Sequence, residues 1–279
     1  MNVQMKKLPD GLFKNTVYRD TGNGFPVMLV HGFPVDGSLW DYQANKLKSF
    51  CRLLIPDLPG SGQSPFISGV TIESMANMLH DILLQEHIDR CILIGHSMGG
   101  YIALAFAEKY AQEIKGLGLY HSSAFPDTQE KKQGRTRSMA MMRQYGAGVF
   151  LRQMMPNLFG EKYRKNNKAA LQTLIKGKED ADVNALSAYY EAMMKRPGRT
   201  NVLKQLTVPA LFVIGKEDTS VPAADVLQQV ALPAVSQVHL LSDAAHISML
   251  EMPDIATCIL EEFIHFCINY PFAEDNVVK

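Results

Sequence analysis

The feature that most constrains this chain is a glycine-rich turn around Ser97, between a short apolar run and a stretch of helix length. The turn reads Gly-His-Ser-Met-Gly-Gly over residues 95–100 and matches the pattern G-x-S-x-G. Residues 91–94 before it predict a buried strand, and residues 98–110 after it predict a helix. A strand that turns sharply into a helix exposes the serine hydroxyl and directs the helix N-terminus toward it. The sequence therefore predicts that Ser97 is a nucleophile.

Further apolar runs have the length and aliphatic character of strands. Runs without polar alternation predict strands that are buried on both faces. These runs lie at residues 27–30, 53–55, 117–120, 211–214 and 238–241, and residues 16–20 are predicted to form an antiparallel edge strand. Stretches of helix length alternate with them, at residues 39–50, 71–86, 98–110 and 253–269. This alternation predicts an α/β fold with a mostly parallel sheet and helices on both faces.

Residues 126–200 interrupt the alternation. They contain no convincing buried strand, are rich in helix-forming residues, and carry 15 basic against 7 acidic residues in a chain whose total is 28 of each. We therefore predict a helical insertion at 126–200, within one discontinuous core domain made of residues 1–125 and 201–279. Seven of the 15 methionines also fall in the insertion.

A serine hydroxyl is a weak nucleophile without a general base, and the base needs a partner that orients it. We assign the base to His246, which follows the last predicted strand and precedes the last helix. His31 and His96 flank motif glycines, which favours packing roles. His121 ends a predicted strand, and the sequence leaves open whether its side chain lines the site. The remaining histidines, at positions 80, 87, 239 and 265, lie in patterns typical of surface or core residues.

The orienting acid is assigned to Asp218, which follows the apolar run at residues 211–214. A carboxylate at the C-terminal end of a strand faces the same rim as Ser97, where it holds the imidazole in one tautomer. The alternative acids are Asp57, Asp127, Glu217 and Asp243.

Acyl transfer also requires two hydrogen-bond donors for the oxyanion of the tetrahedral intermediate. The first candidate is the backbone N–H of Met98, the residue after the nucleophile. The second is the N–H of Phe33, in the His-Gly-Phe-Pro segment that follows an early predicted strand.

Together these residues resemble the α/β-hydrolase family, and the order Ser97, Asp218, His246 is the chain order of that family. The resemblance runs from the segment at residues 31–34, through Asp-Leu-Pro-Gly-Ser-Gly-Gln-Ser at 57–64, to the last helix. It implies an eight-stranded, mostly parallel sheet with a helical cap inserted after the sixth strand. Within the family, the chain looks most like small bacterial esterases, enol-lactonases and cofactor-free haloperoxidases, and Ser97 argues against members whose nucleophile is Asp.

The expected activity is hydrolysis of a carboxylic ester, lactone or thioester of a small or medium-sized substrate. A lyase or acyl transferase that uses the same residues, and a ligand receptor with slow turnover, are the alternatives. We expect no cofactor and no metal, because the sequence contains no phosphate-binding loop, dinucleotide motif or metal-ligand spacing.

The expected partner is a small-molecule substrate. A net charge of zero gives no electrostatic reason to expect nucleic acid, and no apolar run is long enough to span a membrane. Four cysteines without compact spacing, and an N-terminus without an apolar signal region, favour a cytoplasmic protein. A monomer or a homodimer is expected.

Two features of the insertion leave its role open. Its methionines form either an adaptable apolar wall or ordinary packing. Its excess of positive charge either favours anionic substrates or belongs to a solvated helix face. The basic cluster in question comprises Lys131, Lys132, Arg135 and Arg137.

Overall fold

The structure, a computed structural model, describes residues 3–271 of the 279-residue chain. The outermost ends of the predicted core domain, at residues 1–2 and 272–279, lie outside the described residues. None of the helices in the described part combines the length and the apolar composition that crossing a bilayer requires.

A single sheet of eight strands forms the centre of the molecule. The strands are β1 (Gln4–Lys7), β2 (Val17–Thr21), β3 (Phe25–Val30), β4 (Cys51–Pro56), β5 (Cys91–His96), β6 (Ile114–Tyr120), β7 (Ala210–Gly215) and β8 (Ser236–Leu241). Their spatial order is β1-β2-β4-β3-β5-β6-β7-β8. The pairs β1–β2 and β2–β4 are antiparallel, and every other pair is parallel. The predicted α/β class with a mostly parallel eight-stranded sheet is confirmed.

The strand register brings the carboxyl ends of the central strands to one edge. Val30 pairs with Gly95, and His96 pairs with Tyr120, which in turn pairs with Val213. Every residue of β5 and β7 is buried, which is why these strands read as continuous aliphatic runs. The loops that leave β3, β5, β6, β7 and β8 therefore start side by side.

Two predictions about the strands were wrong in detail. The antiparallel strand near residues 16–20 is not at the edge, because β1 pairs with its outer side. β8 is not buried on both faces: it is the other edge strand, with Val238 41% and Leu240 42% exposed. An edge strand has one neighbour instead of two, so its side chains are less completely covered.

Twelve α-helices connect or follow these strands in the described residues. They are α1 (Asp41–Leu47), α2 (Ile72–Gln85), α3 (Met98–Lys109), α4 (Gln129–Tyr145), α5 (Ala147–Met154), α6 (Glu161–Asn166), α7 (Lys168–Lys176), α8 (Val183–Lys195), α9 (Thr200–Gln205), α10 (Ala223–Leu227), α11 (Ser248–Glu251) and α12 (Pro253–Asn269). The predicted helix at residues 39–50 is shorter, because a 3₁₀ turn precedes α1. Helices α1 and α12 pack together, as do α2 and α3, and each pair also contacts the sheet: α12 at β6, and α3 at β5 and β6.

Helix α2 illustrates how the local sequence defines these helices. Thr71 precedes it and forms a reciprocal capping box with Ser74, which satisfies N–H groups that have no partner within the helix. Seven of its apolar residues lie at helical spacing and are buried, whereas Leu84 near its end is exposed, as expected for a helix that packs one face on the core. The capping box and this stripe together explain the close agreement with the predicted helix at residues 71–86.

The chain between β6 and β7, residues 121–209, carries α4 to α9 and no strand. Several contacts join it to the rest of the molecule. The Tyr189 hydroxyl donates to the Pro59 carbonyl at 2.8 Å, and the His246 N–H donates to the Leu158 carbonyl at 2.9 Å. The helical insertion therefore lies against the loops at the carboxyl edge of the sheet. Its division from the core at residues 126 and 200 stays a prediction.

Candidate active site

Ser97 occupies the bend between β5 and α3. Its backbone has φ 52° and ψ −116°, a conformation that non-glycine residues rarely adopt. Hydrogen bonds outside the helix help to hold it there: the Ser97 N–H donates to the Tyr120 carbonyl at 3.0 Å, and the Ser122 hydroxyl donates to the Ser97 carbonyl at 2.7 Å. The strain is thus held in place by β6 and by the loop that follows it.

The glycines beside Ser97 allow the chain to pass close to itself. A Cβ at Gly95 would overlap the backbone of Gly99, and a Cβ at Gly99 would overlap the carbonyls of Val30 and His31. These neighbours are backbone atoms, which cannot rotate away as a flexible side chain can. The spacing of the G-x-S-x-G pattern therefore follows from the tightness of the turn.

The structure brings the three residues predicted for acyl transfer into one hydrogen-bonded line. His246 Nε2 lies 2.8 Å from Ser97 Oγ, and His246 Nδ1 lies 2.7 Å from Asp218 Oδ2. All three side chains are buried. Because the carboxylate accepts from Nδ1–H, Nε2 of the neutral ring is left as an acceptor for the serine proton. The arrangement can therefore remove a proton from Ser97.

Asp218 is anchored independently of the histidine. Its Oδ1 accepts backbone N–H bonds from Ser220 at 2.8 Å and from Val221 at 2.9 Å. Burial alone would raise the pKa of this carboxyl group, but the charge and hydrogen bond of His246 outweigh that effect and hold the pKa below its usual value of 3.8. Asp218 is therefore a carboxylate at neutral pH.

The other acids considered from the sequence lie in different surroundings. Asp57 accepts N–H bonds from Gly37 and Gln63. Asp127 forms ion pairs with Arg135 and Arg196. Glu217 accepts the N–H of Glu161, and Asp243 forms an ion pair with Lys162. No hydrogen bond joins any of these four carboxylates to His246 in the described structure.

His31 and His96 are engaged in fixed hydrogen bonds. The Leu58 N–H donates to His31 Nε2 at 3.0 Å, so the ring proton lies on Nδ1, which donates to the Gly32 carbonyl at 2.9 Å. His96 Nε2 donates to the backbone carbonyl of His246 at 2.8 Å. Both rings are buried, and burial lowers their pKa values below the usual 6.5.

His121, whose position the sequence left open, lies beside the acid. Its Nε2 is 2.7 Å from Ser248 Oγ, and its Nδ1 is 3.7 Å from Asp218 Oδ2. Burial lowers the pKa of His121 to about 3, although the charge of Asp218 acts in the opposite direction. His121 is therefore neutral at neutral pH and does not compete with His246 for the carboxylate as a charged partner.

The two predicted oxyanion donors belong to segments that flank Ser97. Met98 begins α3, so its N–H has no partner within the helix. The loop that carries Phe33 touches the nucleophile directly, because a Cβ on Gly32 would lie 2.8 Å from the Ser97 Cβ. The backbone of residues 32–33 therefore runs next to the place where a substrate carbonyl would react.

Sequence reasoning missed Glu251, which supports the loop of His246. Its carboxylate accepts N–H bonds from Ala245 at 3.1 Å, from Ile247 at 3.2 Å and from Gly160 at 2.7 Å. Burial raises the pKa of this carboxyl group above its usual 4.5. The only feature of the sequence that could have indicated this role is the position of an acidic residue five residues after His246.

Among residues 3–271, no group of three or more His, Cys, Asp or Glu side chains is arranged to hold a metal ion.

Comparisons with known proteins place these features in a wider context. A family model described as alpha/beta hydrolase fold matches residues 26–253. The chain is 27% identical over 262 residues to Lipase 1 of Psychrobacter immobilis, covering 91% of this chain and 81% of that protein. It is 26% identical over 247 residues to 2-succinyl-6-hydroxy-2,4-cyclohexadiene-1-carboxylate synthase of Enterobacter sp., covering 85% and 92%. A malate-bound structure of a thermophilic esterase from Thermogutta terrifontis superposes with a TM-score of 0.87 at 31% identity, covering 96% of this chain and 99% of that one.

Proposed function

The chain belongs to the α/β-hydrolase fold family, and from that premise we propose that it is a serine hydrolase that cleaves carboxylic esters, lactones or thioesters of small or medium-sized substrates. The single observation that carries the proposal is the hydrogen-bonded line from Ser97 through His246 to Asp218. The similarity to a lipase and to an esterase supports ester hydrolysis as the reaction class.

The first half of the proposed reaction forms an acyl-enzyme. His246 Nε2 takes the proton of Ser97 as the Oγ attacks the carbonyl carbon, and the carboxylate of Asp218 stabilises the imidazolium. The N–H groups of Met98 and Phe33 bind the oxyanion. When the tetrahedral intermediate collapses, the bond to the leaving oxygen or sulfur breaks and His246 returns its proton to that atom.

The second half releases the acyl group with water. His246 removes a proton from a water molecule, whose oxygen attacks the acyl carbon. The oxyanion again lies at the N–H groups of Met98 and Phe33. Collapse of this second intermediate breaks the bond to Ser97 Oγ, which regains its proton from His246, and the carboxylic acid leaves.

We also propose that residues 126–200 act as a cap that shapes the substrate pocket. Aromatic side chains of the insertion pack against Phe33: its ring centroid lies 4.4 Å from that of Tyr190 and 6.4 Å from that of Phe150. Because Phe33 is also a proposed oxyanion donor, the cap meets the core next to the reacting carbonyl. This arrangement favours substrates whose acyl or alcohol part fits between the two.

A second candidate is a lyase or acyl transferase that uses the same three residues. The relative named as a 2-succinyl-6-hydroxy-2,4-cyclohexadiene-1-carboxylate synthase favours this alternative, because its name describes a synthase rather than a hydrolase. The alternative uses Ser97, His246 and Asp218 as well. An acyl transferase would pass the acyl group to an acceptor other than water, and a lyase would break a bond of the substrate without adding water.

The test is turnover of p-nitrophenyl esters from acetate to octanoate by the wild type, Ser97→Ala and Asp218→Asn. We expect many turnovers per site in the wild type and none above background in Ser97→Ala. In Asp218→Asn, kcat should fall on the order of 10⁴-fold, because the amide does not hold the required imidazole tautomer. Equal activity in the wild type and Ser97→Ala, or no activity in either, would contradict the proposal. New ester formed when an alcohol is added would favour the transferase.

A further inference from the structure

Two arginines in the helical insertion share one buried carboxylate. Asp127 Oδ2 accepts from Arg135 Nε at 2.6 Å, and Asp127 Oδ1 accepts from Arg196 Nη1 at 2.9 Å. The side chain of Asp127 is 1% exposed, that of Arg196 5% and that of Arg135 19%. The cluster therefore carries one positive charge more than its carboxylate neutralises, at a place where water covers little of it.

The two guanidinium groups differ in how fully they are used. Arg196 also donates to the carbonyls of Met193 at 2.6 Å and Phe125 at 3.1 Å, and it lies over the ring of Tyr101 at 3.7 Å. These contacts identify Arg196 as a structural group.

Arg135 is only partly used. It contacts Asp127 through Nε and Nη2, and its guanidinium lies 5.0 Å from the ring centroid of Tyr190. Its Nη1 has no hydrogen-bond partner among residues 3–271, so Arg135 retains donors for a ligand.

Two short paths of contacts connect this cluster with the nucleophile. On one side, Arg135 lies over Tyr190, whose ring stacks on Phe33 in the loop beside Ser97. On the other side, Arg196 lies over Tyr101, which is one helical turn after Ser97 and donates its N–H to the Ser97 carbonyl. The excess charge is therefore placed where the cap meets the candidate active site.

From this geometry we infer that Arg135 binds a carboxylate group of the substrate, so that the preferred substrates are acidic esters or lactones. The inference rests on the proposed function, since it names the substrate class of that same site. A carboxylate would neutralise the excess charge and accept from Nη1–H, and guanidinium–carboxylate hydrogen bonds are among the stronger ones in proteins. Within the basic cluster of Lys131, Lys132, Arg135 and Arg137, the inference gives Arg135 a role in binding an anionic substrate.

The test compares substrates that differ only in a terminal charge. The p-nitrophenyl monoesters of glutarate and adipate are matched with p-nitrophenyl pentanoate and hexanoate, in which a methyl group replaces the carboxylate. We expect the wild type to have a higher kcat/KM for the acidic member of at least one pair. In Arg135→Gln, the ratio of acidic to neutral kcat/KM should fall about 10- to 100-fold, the size expected for a lost hydrogen bond to a charged group. Arg135→Lys, which keeps the charge, should retain part of the preference.

Arg137→Gln is the matched control, because Arg137 stands on the same helix, is exposed, and loses the same charge in the same substitution. Its ratio should equal that of the wild type. An unchanged ratio in Arg135→Gln, or an equal fall in Arg137→Gln, would overturn the inference. A wild type that prefers the neutral esters in both pairs would overturn it as well.

A binding measurement separates this inference from the proposed function. In the Ser97→Ala background, calorimetric titration with the glutarate and adipate dianions requires no turnover. We expect binding that weakens at least 10-fold when Arg135→Gln is added and is unaffected when Arg137→Gln is added. If all esters fail to turn over but this pattern appears, the proposed reaction is wrong and the carboxylate site stands. If the dianions do not bind, or bind equally with and without Arg135, the carboxylate site is wrong.

Discussion

At the scale of single residues, the candidate site requires a glycine at position 32, because there is no room for a Cβ atom there. Gly32 lies so close to the nucleophile that a Cβ on it would be 2.8 Å from the Ser97 Cβ and 2.8 Å from His96 Nδ1. Neither neighbour can move away easily: Ser97 lies in the strained turn, and the buried ring of His96 is fixed by its hydrogen bond to the His246 carbonyl. The backbone of the proposed oxyanion loop therefore reaches its position only because residue 32 has no side chain.

Gly32→Ala should displace this loop from Ser97. We expect kcat for ester hydrolysis to fall at least about 100-fold, as for loss of one oxyanion donor, and stability to fall by about 1–3 kcal/mol from overpacking. Urea unfolding and steady-state kinetics measure the two effects. Gly134→Ala is the control, because Gly134 lies in α4 with nothing within 4 Å of a Cβ, and alanine there should stabilise by about 1 kcal/mol. A fully active Gly32→Ala variant would contradict this assignment of the loop.

The residues of the hydrogen-bonded line were predictable because each one follows a strand that the sequence reveals. Ser97, Asp218 and His246 come after β5, β7 and β8, and parallel strands bring such positions to one edge. Glu251 was not predictable in the same way. Its three partners are backbone N–H groups, one of them at Gly160 in the insertion, and backbone groups leave no pattern in the sequence.

At the scale of elements, the loop between β8 and α11 is held by a side chain at the end of α11. Glu251 accepts N–H bonds from both neighbours of His246 and from Gly160 at the start of α6. One carboxylate thus joins the loop of the candidate base to the helical insertion.

Glu251→Gln should loosen both connections. The amide keeps one acceptor but brings an NH₂ group toward backbone donors, so we expect a loss of about 1–3 kcal/mol in the free energy of unfolding. We also expect a lower kcat, because His246 is less firmly held. Glu217→Gln is the matched control: Glu217 is exposed and accepts a single N–H bond, from Glu161, so its loss should be smaller. Equal effects in the two variants would argue against this role for Glu251.

The elements that sequence reasoning described poorly are those at the edges of the sheet. β1 has the sequence Gln-Met-Lys-Lys and is mostly exposed, so it has no apolar run that would reveal it. β8 carries apolar residues on its exposed face, which made it look like a central strand. The hydrophobic pattern of a sequence predicts which residues are buried. It predicts strands less well at the edges of a sheet, because residues there form strands without being buried.

At the scale of the whole molecule, the buried histidines link the fold to pH. Burial lowers the pKa values of His31, His96 and His121 below the usual 6.5, that of His121 to about 3. Below pH 6.5 these histidines bind more protons in the unfolded chain than in the folded one. Since stability rises with pH wherever the unfolded state binds more protons, stability must fall as the pH drops from 6.5 toward 3.

We therefore expect the free energy of unfolding to fall steeply between pH 7 and pH 5, by up to about 1.4 kcal/mol per pH unit for each such histidine. Urea unfolding at a series of pH values measures the slope. His121→Asn should reduce it, since asparagine tolerates the positive φ of 48° at this position. His265→Asn, at an exposed position, should leave the slope as in the wild type. A stability that is constant from pH 7.5 to pH 5 would contradict this account.

The central claim, that Ser97 is a nucleophile activated by His246 and Asp218, is tested most directly by covalent labelling. The intact protein is treated with an alkyl fluorophosphonate, and the adduct is counted and located by mass spectrometry. We predict one adduct per chain on the peptide that contains Ser97, no adduct in Ser97→Ala, and slow labelling in His246→Gln. An unlabelled wild type, a label on another residue, or labelling that is equally fast in His246→Gln would contradict the claim.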